Sequence, residues 1–194
     1  MIKKAKHIAS NIMNNYKQFI LKSKYVTLKP FEEKDITKEF LSFLNNKLIN
    51  KYLKPRKKQN KKLALNYLNE IKKNNNYYWA IIDKRRKKLI GTITIRRISK
   101  SAAYIGFMIG KKKYHGSKQS DNSIIMALDF TFKTLNFKKI NAGTEKNNIS
   151  ANFNMIKNGF LLKKKKMNTF RFVLNKRNFK RKVKYEISKF NSIS

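Results

Sequence analysis

The stretch from Tyr104 to Phe160 restricts the fold more than any other part of the sequence. Tyr104-Ile105-Gly106-Phe107-Met108-Ile109-Gly110 alternates with the period of a strand, then enters a basic loop, Lys111 to Gln119, that contains Gly116. Ile124, Ile125, Leu128, Phe132 and Leu135 recur at helical spacing and predict an amphipathic helix from Ser123 to Leu135. A short strand, Ile140 to Thr144, and a second helix stopping at Asn158-Gly159-Phe160 complete the unit. A strand that opens through a glycine loop onto a helix start directs loop amides and the positive end of the helix dipole at one point. That arrangement suits a phosphate.

The flanking sequence supplies the rest of a sheet. Tyr25 to Leu28 reads as a strand ended by Pro30, and Asp35 or Thr37 can cap a helix whose buried stripe is Phe40, Leu41 and Leu44. Leu48 to Leu53 continues as a short helical piece, and Leu63 to Lys73 forms another helix. Tyr77 to Ile82 and Leu89 to Ile95, joined by the polar turn Asp83 to Lys88, predict an antiparallel hairpin with Trp79 in the core. Phe170 to Leu174 and Val183 to Ile187 are the last β-rich runs. Residues 1–24 stand before this unit as a basic extension. Ile8, Ile12, Met13, Tyr16, Phe19 and Ile20 recur there at near-helical spacing, as in a helix packed on its own domain or lying on a membrane or partner. Residues 25–194 form the main domain.

Composition removes several chemistries. The 194 residues suffice for one domain with a core. Without cysteine there is no disulfide, thiolate metal site or cysteine nucleophile, and with only His7 and His115 a histidine-based metal site is not expected. No apolar run approaches the roughly 20 residues of a membrane span. The net charge of +38 calls for an anionic partner or reflects a lysine-rich compositional bias; both readings stay open.

The order of these segments resembles the GNAT superfamily of acetyl-CoA-dependent N-acetyltransferases, in the branch with ribosomal-protein and amino-sugar acetyltransferases. Leu28-Lys29-Pro30-Phe31-Glu32-Glu33-Lys34-Asp35 is similar to the family's first strand and helix entry, and Leu89-Ile90-Gly91-Thr92-Ile93 to its hairpin strand. Ile105 to Ile109 resembles the fourth strand and Lys113 to Lys118 the pyrophosphate loop, while Asn148-Ile149-Ser150-Ala151 and Lys157-Asn158-Gly159-Phe160 resemble the last helix and its stop. The chain departs from the family pattern at Lys118, where the loop has a second small residue, at Met155, where many members have a tyrosine acid, and at Tyr104, where others have a carboxylate.

The resemblance implies an α+β fold: a mixed, mostly antiparallel sheet flanked by helices and splayed between its fourth and fifth strands. It implies transfer of an acetyl group from acetyl-CoA to a primary amine, with no metal, in the cytoplasm. A nucleotide-linked amino sugar is the favoured acceptor, with a ribosomal or other protein amine as the alternative. A non-catalytic acetyl-CoA-binding module, or a protein associated with nucleic acid or the ribosome, is the other class. By the same resemblance the main chain at Met108 and Ile109 takes the pantetheine arm. The amides of Tyr114, His115, Gly116, Ser117, Lys118, Gln119 and Ser120 take the pyrophosphate, with charge from Lys113 and Lys118 and a ribose phosphate contact from Lys111 or Lys112. Asn148 bonds the pantetheine region, caps the last helix, or does both. Tyr104 and Glu145 are the candidates for proton removal, and His115 meets an anion or solvent. Arg56-Lys57-Lys58 and Lys176-Arg177 are expected on the acceptor side.

Overall fold

The structure is a computed structural model that describes residues 19–52 and 58–190. Strands β1 (Phe19–Ser23) and β2 (Val26–Pro30) lead to helices α1 (Lys38–Asn45), α2 (Lys47–Asn50) and α3 (Lys61–Lys73). Strands β3 (Tyr77–Asp83), β4 (Lys88–Arg97) and β5 (Ala102–Ile109) follow, then α4 (Lys118–Lys133), β6 (Lys139–Glu145) and α5 (Ile149–Lys157). Strands β7 (Leu161–Lys166), β8 (Thr169–Asn175) and β9 (Tyr185–Lys189) close the chain. Among the described residues, the nine strands share one sheet in the order β7-β8-β6-β5-β4-β3-β2-β1-β9. Neighbours are antiparallel except β5 and β6, which run parallel. The fold expectation is met, and β5 and β6 are the strands that count as fourth and fifth when β1 is not anticipated.

The pattern of apolar residues places a core on each face. Leu21, Leu28, Trp79, Ile81, Ile93 and Ile105 meet α4 on one face. Phe31, Phe40, Phe43, Leu68 and Ala80 join α1 and α3 to the other. Trp79 is 1% exposed, and its indole N–H donates to the Phe19 carbonyl at 3.2 Å. Thr37 caps α1 by accepting from the Phe40 amide at 3.1 Å.

Three sequence expectations change, and one strand was not anticipated. Phe19 and Ile20 do not continue a helix: Phe19–Ser23 pairs with both β2 and β9, because Leu21 and Ser23 alternate into the core and Ser23 Oγ accepts the Val26 amide across the turn. The remainder of the helical spacing, Ile8 to Tyr16, lies outside the described residues. Helix α4 starts at Lys118, not Ser123, because Ser117 supplies its cap. Leu161–Lys166 is a strand despite four consecutive lysines; every residue in it is exposed, and it sits at the edge of the sheet against β8. The final strand is Tyr185–Lys189, two residues later than expected, and it crosses to the opposite edge to pair with β1.

That crossing covers α4. Phe179 packs on Phe132 with ring centroids 5.5 Å apart, Arg181 lies 3.7 Å from Asp121, and the Tyr185 hydroxyl donates to Asp129 at 2.9 Å. At 100° per residue, Asp121, Asp129 and Phe132 lie on the side of α4 away from Ala127 and Phe130, which face the sheet core. The helix is therefore enclosed between the sheet and a strap formed by residues 179–184.

Candidate functional site

The site begins where two strands part. β5 pairs with β4 from Arg97↔Ala103 to Gly91↔Ile109, but with β6 only at Ala102↔Lys139, Ala103↔Ile140 and Tyr104↔Asn141. Past Tyr104 one edge of β5 is open. The Gly110 amide donates to the Ile90 carbonyl at 2.8 Å, and the alternation of an antiparallel ladder then sets the direction of each residue. Met108 turns its main chain to β4, and Phe107 and Ile109 turn theirs to the opening. Of the two residues expected to take a pantetheine arm, Ile109 faces the gap through its backbone, while Met108 packs its side chain on the α1 side. Phe107 was not anticipated; the ladder parity that singles it out is visible only once the register is known. His115 Nε2 lies 3.3 Å from the Ile109 carbonyl, which can only accept, so this nitrogen carries the proton.

At the end of the opening the loop forms a 3-10 turn, Lys112–Tyr114, and then α4. The amides of Tyr114, His115 and Ser117 bond to carbonyls within the loop, and Ser117 Oγ accepts the Ser120 amide at 3.2 Å. Among the described residues, the amides of Gly116, Lys118 and Gln119 are left without a partner in the chain. Gly116 has φ +67, and a Cβ built there meets nothing within 4 Å. The expected cradle of amides thus narrows to these residues at the first turn of a 16-residue helix. Lys113 and Lys118 are exposed, with their ammonium groups over the rings of Tyr114 (5.3 Å) and Tyr25 (5.7 Å).

Cross-strand register collects the remaining candidates on one face. Arg96, Tyr104, Asn141 and Val173 form a row across β4, β5, β6 and β8; Gly143 pairs with Arg171, and Glu145 with Thr169. Tyr104 and Glu145 therefore share the face that carries α3. The Tyr104 phenol reaches across the gap: its oxygen would stand 2.6 Å from a Cβ at Gly143, and Arg96 sits 5.2 Å from its ring. Asn148 caps α5 by accepting the Ala151 amide at 3.1 Å, and its own amide donates to the Glu145 carbonyl at 3.0 Å. The Tyr52 hydroxyl, just past α2, donates to the Asn147 carbonyl at 3.2 Å and ties the helical layer to the mouth of the opening. Met155 is buried in the core.

Two tyrosines missed from the sequence line the same face. Burial pushes the Tyr78 phenol well up, with a hydrogen bond to Thr92 acting against it, and burial likewise raises Tyr67, against the opposing field of Arg96. Their signal was available as the alternation of Thr92, Thr94 and Arg96 along β4. The basic residues expected on the acceptor side are corrected in part. The Lys176 amide donates to the Lys138 carbonyl and its ammonium to Asn136, which puts Lys176 and Arg177 at the closed end of β6, away from the mouth. Arg56 and Lys57 lie outside the described residues, and Lys58 is exposed.

Known structures share this fold. No curated protein sequence matches this chain significantly. The nucleotide-linked sugar GNAT FdhC superposes with a TM-score of 0.68 at 20% identity, over 83% of this chain and 92% of its own. Ribosomal-protein-S5-alanine acetyltransferase of Vibrio fischeri gives 0.66 at 17% identity, over 84% and 99%. Spermidine N-acetyltransferase of Vibrio cholerae, solved with CoA and spermine, gives 0.67 at 20%, over 79% and 96%. At these identities the likeness establishes the fold. The sequence model of the acetyltransferase (GNAT) domain matches residues 26–161, from β2 to the start of β7. The strands that part after Tyr104, the open amides at the start of α4 and this match agree: the chain belongs to the GNAT acetyltransferase family.

Proposed function

We propose that the chain transfers an acetyl group from acetyl-CoA to a primary amine on an anionic acceptor, with a nucleotide-linked amino sugar favoured. The observation that carries this reading is the open edge of β5 leading to the unpartnered amides of Gly116, Lys118 and Gln119. Phe107 and Ile109 offer main-chain groups that a pantetheine amide can bond as an added strand would. The α4 amides and the charges of Lys113 and Lys118 suit a diphosphate, and Lys118 in place of a small residue adds a cation where the backbone approach is less close. Bound acetyl-CoA supplies an activated acyl group as a thioester. The chain supplies position and proton control. Tyr104 and Glu145, on one face beside the parting strands, are the groups placed to relay the ammonium proton of an acceptor to solvent.

The sign of the cleft supports the acceptor class. Arg96 and Arg171 project from the face shared by Tyr104 and Glu145, so an acceptor carrying phosphate is attracted and a polyamine is repelled. Thiol release from acetyl-CoA over a panel of amines tests the reading. A nucleotide-linked amino sugar should turn over, lose rate as salt screens its phosphates, and be inhibited by free nucleoside diphosphate. Preference for spermidine, or rapid acetylation of a neutral amine indifferent to salt and nucleotide, would overturn the acceptor class. Absence of acetyl-CoA binding at millimolar concentration in calorimetry would overturn the donor.

A further inference from the structure

Helix α5 buries only part of its surface. Met155 points into the core, whereas Ile149, Phe153 and Ile156 are 78%, 66% and 63% exposed. At 100° per residue these three fall within about 60° of arc and form one apolar stripe along the helix. Single exposed apolar side chains are ordinary on a protein surface. A stripe of three on a nine-residue helix marks a contact.

The charge beside the stripe has one sign. Lys157 of α5 and Arg181 of the strap both pair with Asp121 of α4, which sets the strap alongside α5. Within the strap Arg181 and Val183 are half-buried, and Lys180, Lys182 and Lys184 between and beside them are exposed. On the other flank, Leu162 lies opposite Phe172 and Lys165 opposite Phe170, so both β7 residues share the face of the sheet on which Met155 packs. Of the ten acidic residues in the chain, three reach this side: Asp83 and Asp129 are buried, and Asp121 is already paired. The others sit around α1 and α3 or on the opposite face of the sheet.

An apolar stripe flanked by lysines is the pattern of a helix lying in a bilayer interface, with its side chains among acyl chains and the ammonium groups at anionic head groups. Two isoleucines and one phenylalanine offer nucleic acid little to bond, and a second copy of the chain would bring the same positive field. No helix among the described residues is long and apolar enough to cross a membrane, so the contact is a peripheral one. We propose that this face, with α5 at its centre, docks the chain on an anionic lipid surface. Tyr104 and Glu145 lie on the opposite face of the sheet, so docking leaves them clear of the lipid and is read without turnover.

The test is flotation of the full chain with vesicles of phosphatidylcholine containing about 30% phosphatidylglycerol, and with phosphatidylcholine alone, at fixed salt. Binding should require the anionic lipid. Phe153→Ser combined with Ile156→Ser should weaken it at least about tenfold. Lys182→Glu should weaken it more than Lys62→Glu, the same charge change on α3 across the sheet. Phe153→Trp, which keeps the stripe apolar, serves if thermal unfolding shows that the serine variant does not fold. Its emission should move to shorter wavelength on the anionic vesicles and be quenched by brominated acyl chains, against a constant background from the buried Trp79. No binding to the anionic vesicles, unchanged binding by the serine variant, equal effects of the two charge changes, or no quenching in Phe153→Trp would overturn the proposal. A dimer in lipid-free sedimentation that the serine substitutions dissolve would assign the stripe to a second copy. Polyglutamate binding that they weaken as much as vesicle binding would assign it to an acidic protein; either result overturns the lipid surface.

Discussion

At the scale of single residues, the glycines distinguish space from conformation. A Cβ at Gly91 would lie 2.1 Å from the Met108 carbonyl oxygen, which is backbone and cannot rotate away. Gly91→Ala should therefore destabilise by about 1–3 kcal/mol, read as a lower thermal midpoint. At Gly143 the obstacle is the Tyr104 hydroxyl, the end of a side chain that can swing. Gly143→Ala should leave the midpoint nearly unchanged but lower the rate of acetyl transfer about tenfold or more by moving the phenol out of the gap. An unaltered rate would remove Tyr104 from the reaction. Gly116 is different again: it has open space but a left-handed backbone, so Gly116→Val should cost about 1–2 kcal/mol of stability and weaken acetyl-CoA. Intact affinity would make Gly116 a turn residue and nothing more.

At the scale of elements, β9 is held to α4 by a phenol whose titration can be followed. Burial, and then the hydrogen bond to Asp129 and its charge, raise the Tyr185 pKa. A raised folded value means that the folded state binds the proton more tightly, so this contribution is complete below the unfolded value of about 10 and is lost as pH rises above it. Urea midpoints should fall across that range, with a shallower fall in Tyr185→Phe; equal slopes would show that the bond to Asp129 does not persist in solution. The same elements show what the sequence made legible. β3, β4, β5 and α4 announce themselves because Trp79, Ile93, Ile105 and Leu128 repeat at the period of the element that buries them. β1 and β7 do not. Phe19-Ile20-Leu21 follows a run with helical spacing, and only the partner strands on either side decide its conformation. Leu161-Leu162 followed by lysines has no buried face, and its pairing depends on β8 alone. In the site, the glycine loop was readable from the order of strand, loop and helix, and Asn148 came from the family resemblance. The role of Phe107 and the row joining Arg96 to Tyr104 depend on register, which no local pattern encodes.

At the scale of the whole molecule, charge works against compactness. With a net +38 the folded chain repels itself, and the lysines along β7 keep that edge from pairing with another sheet. Raising sodium chloride from about 0.02 to about 0.3 M should therefore raise the thermal midpoint while it slows turnover of a phosphorylated acceptor. A midpoint that falls with salt would mean that ion pairs such as Lys111–Glu39 outweigh the repulsion. The pairing of β9 with β1 brings Phe19 opposite Lys189, so the first described strand waits for the last. Until the ribosome has delivered β9, β1 has a bare edge and α4 a bare flank. Helix α4 can thus form before β9 is made but is not enclosed until residues 179–189 have emerged. A stalled nascent chain would expose that flank to chaperones and proteases.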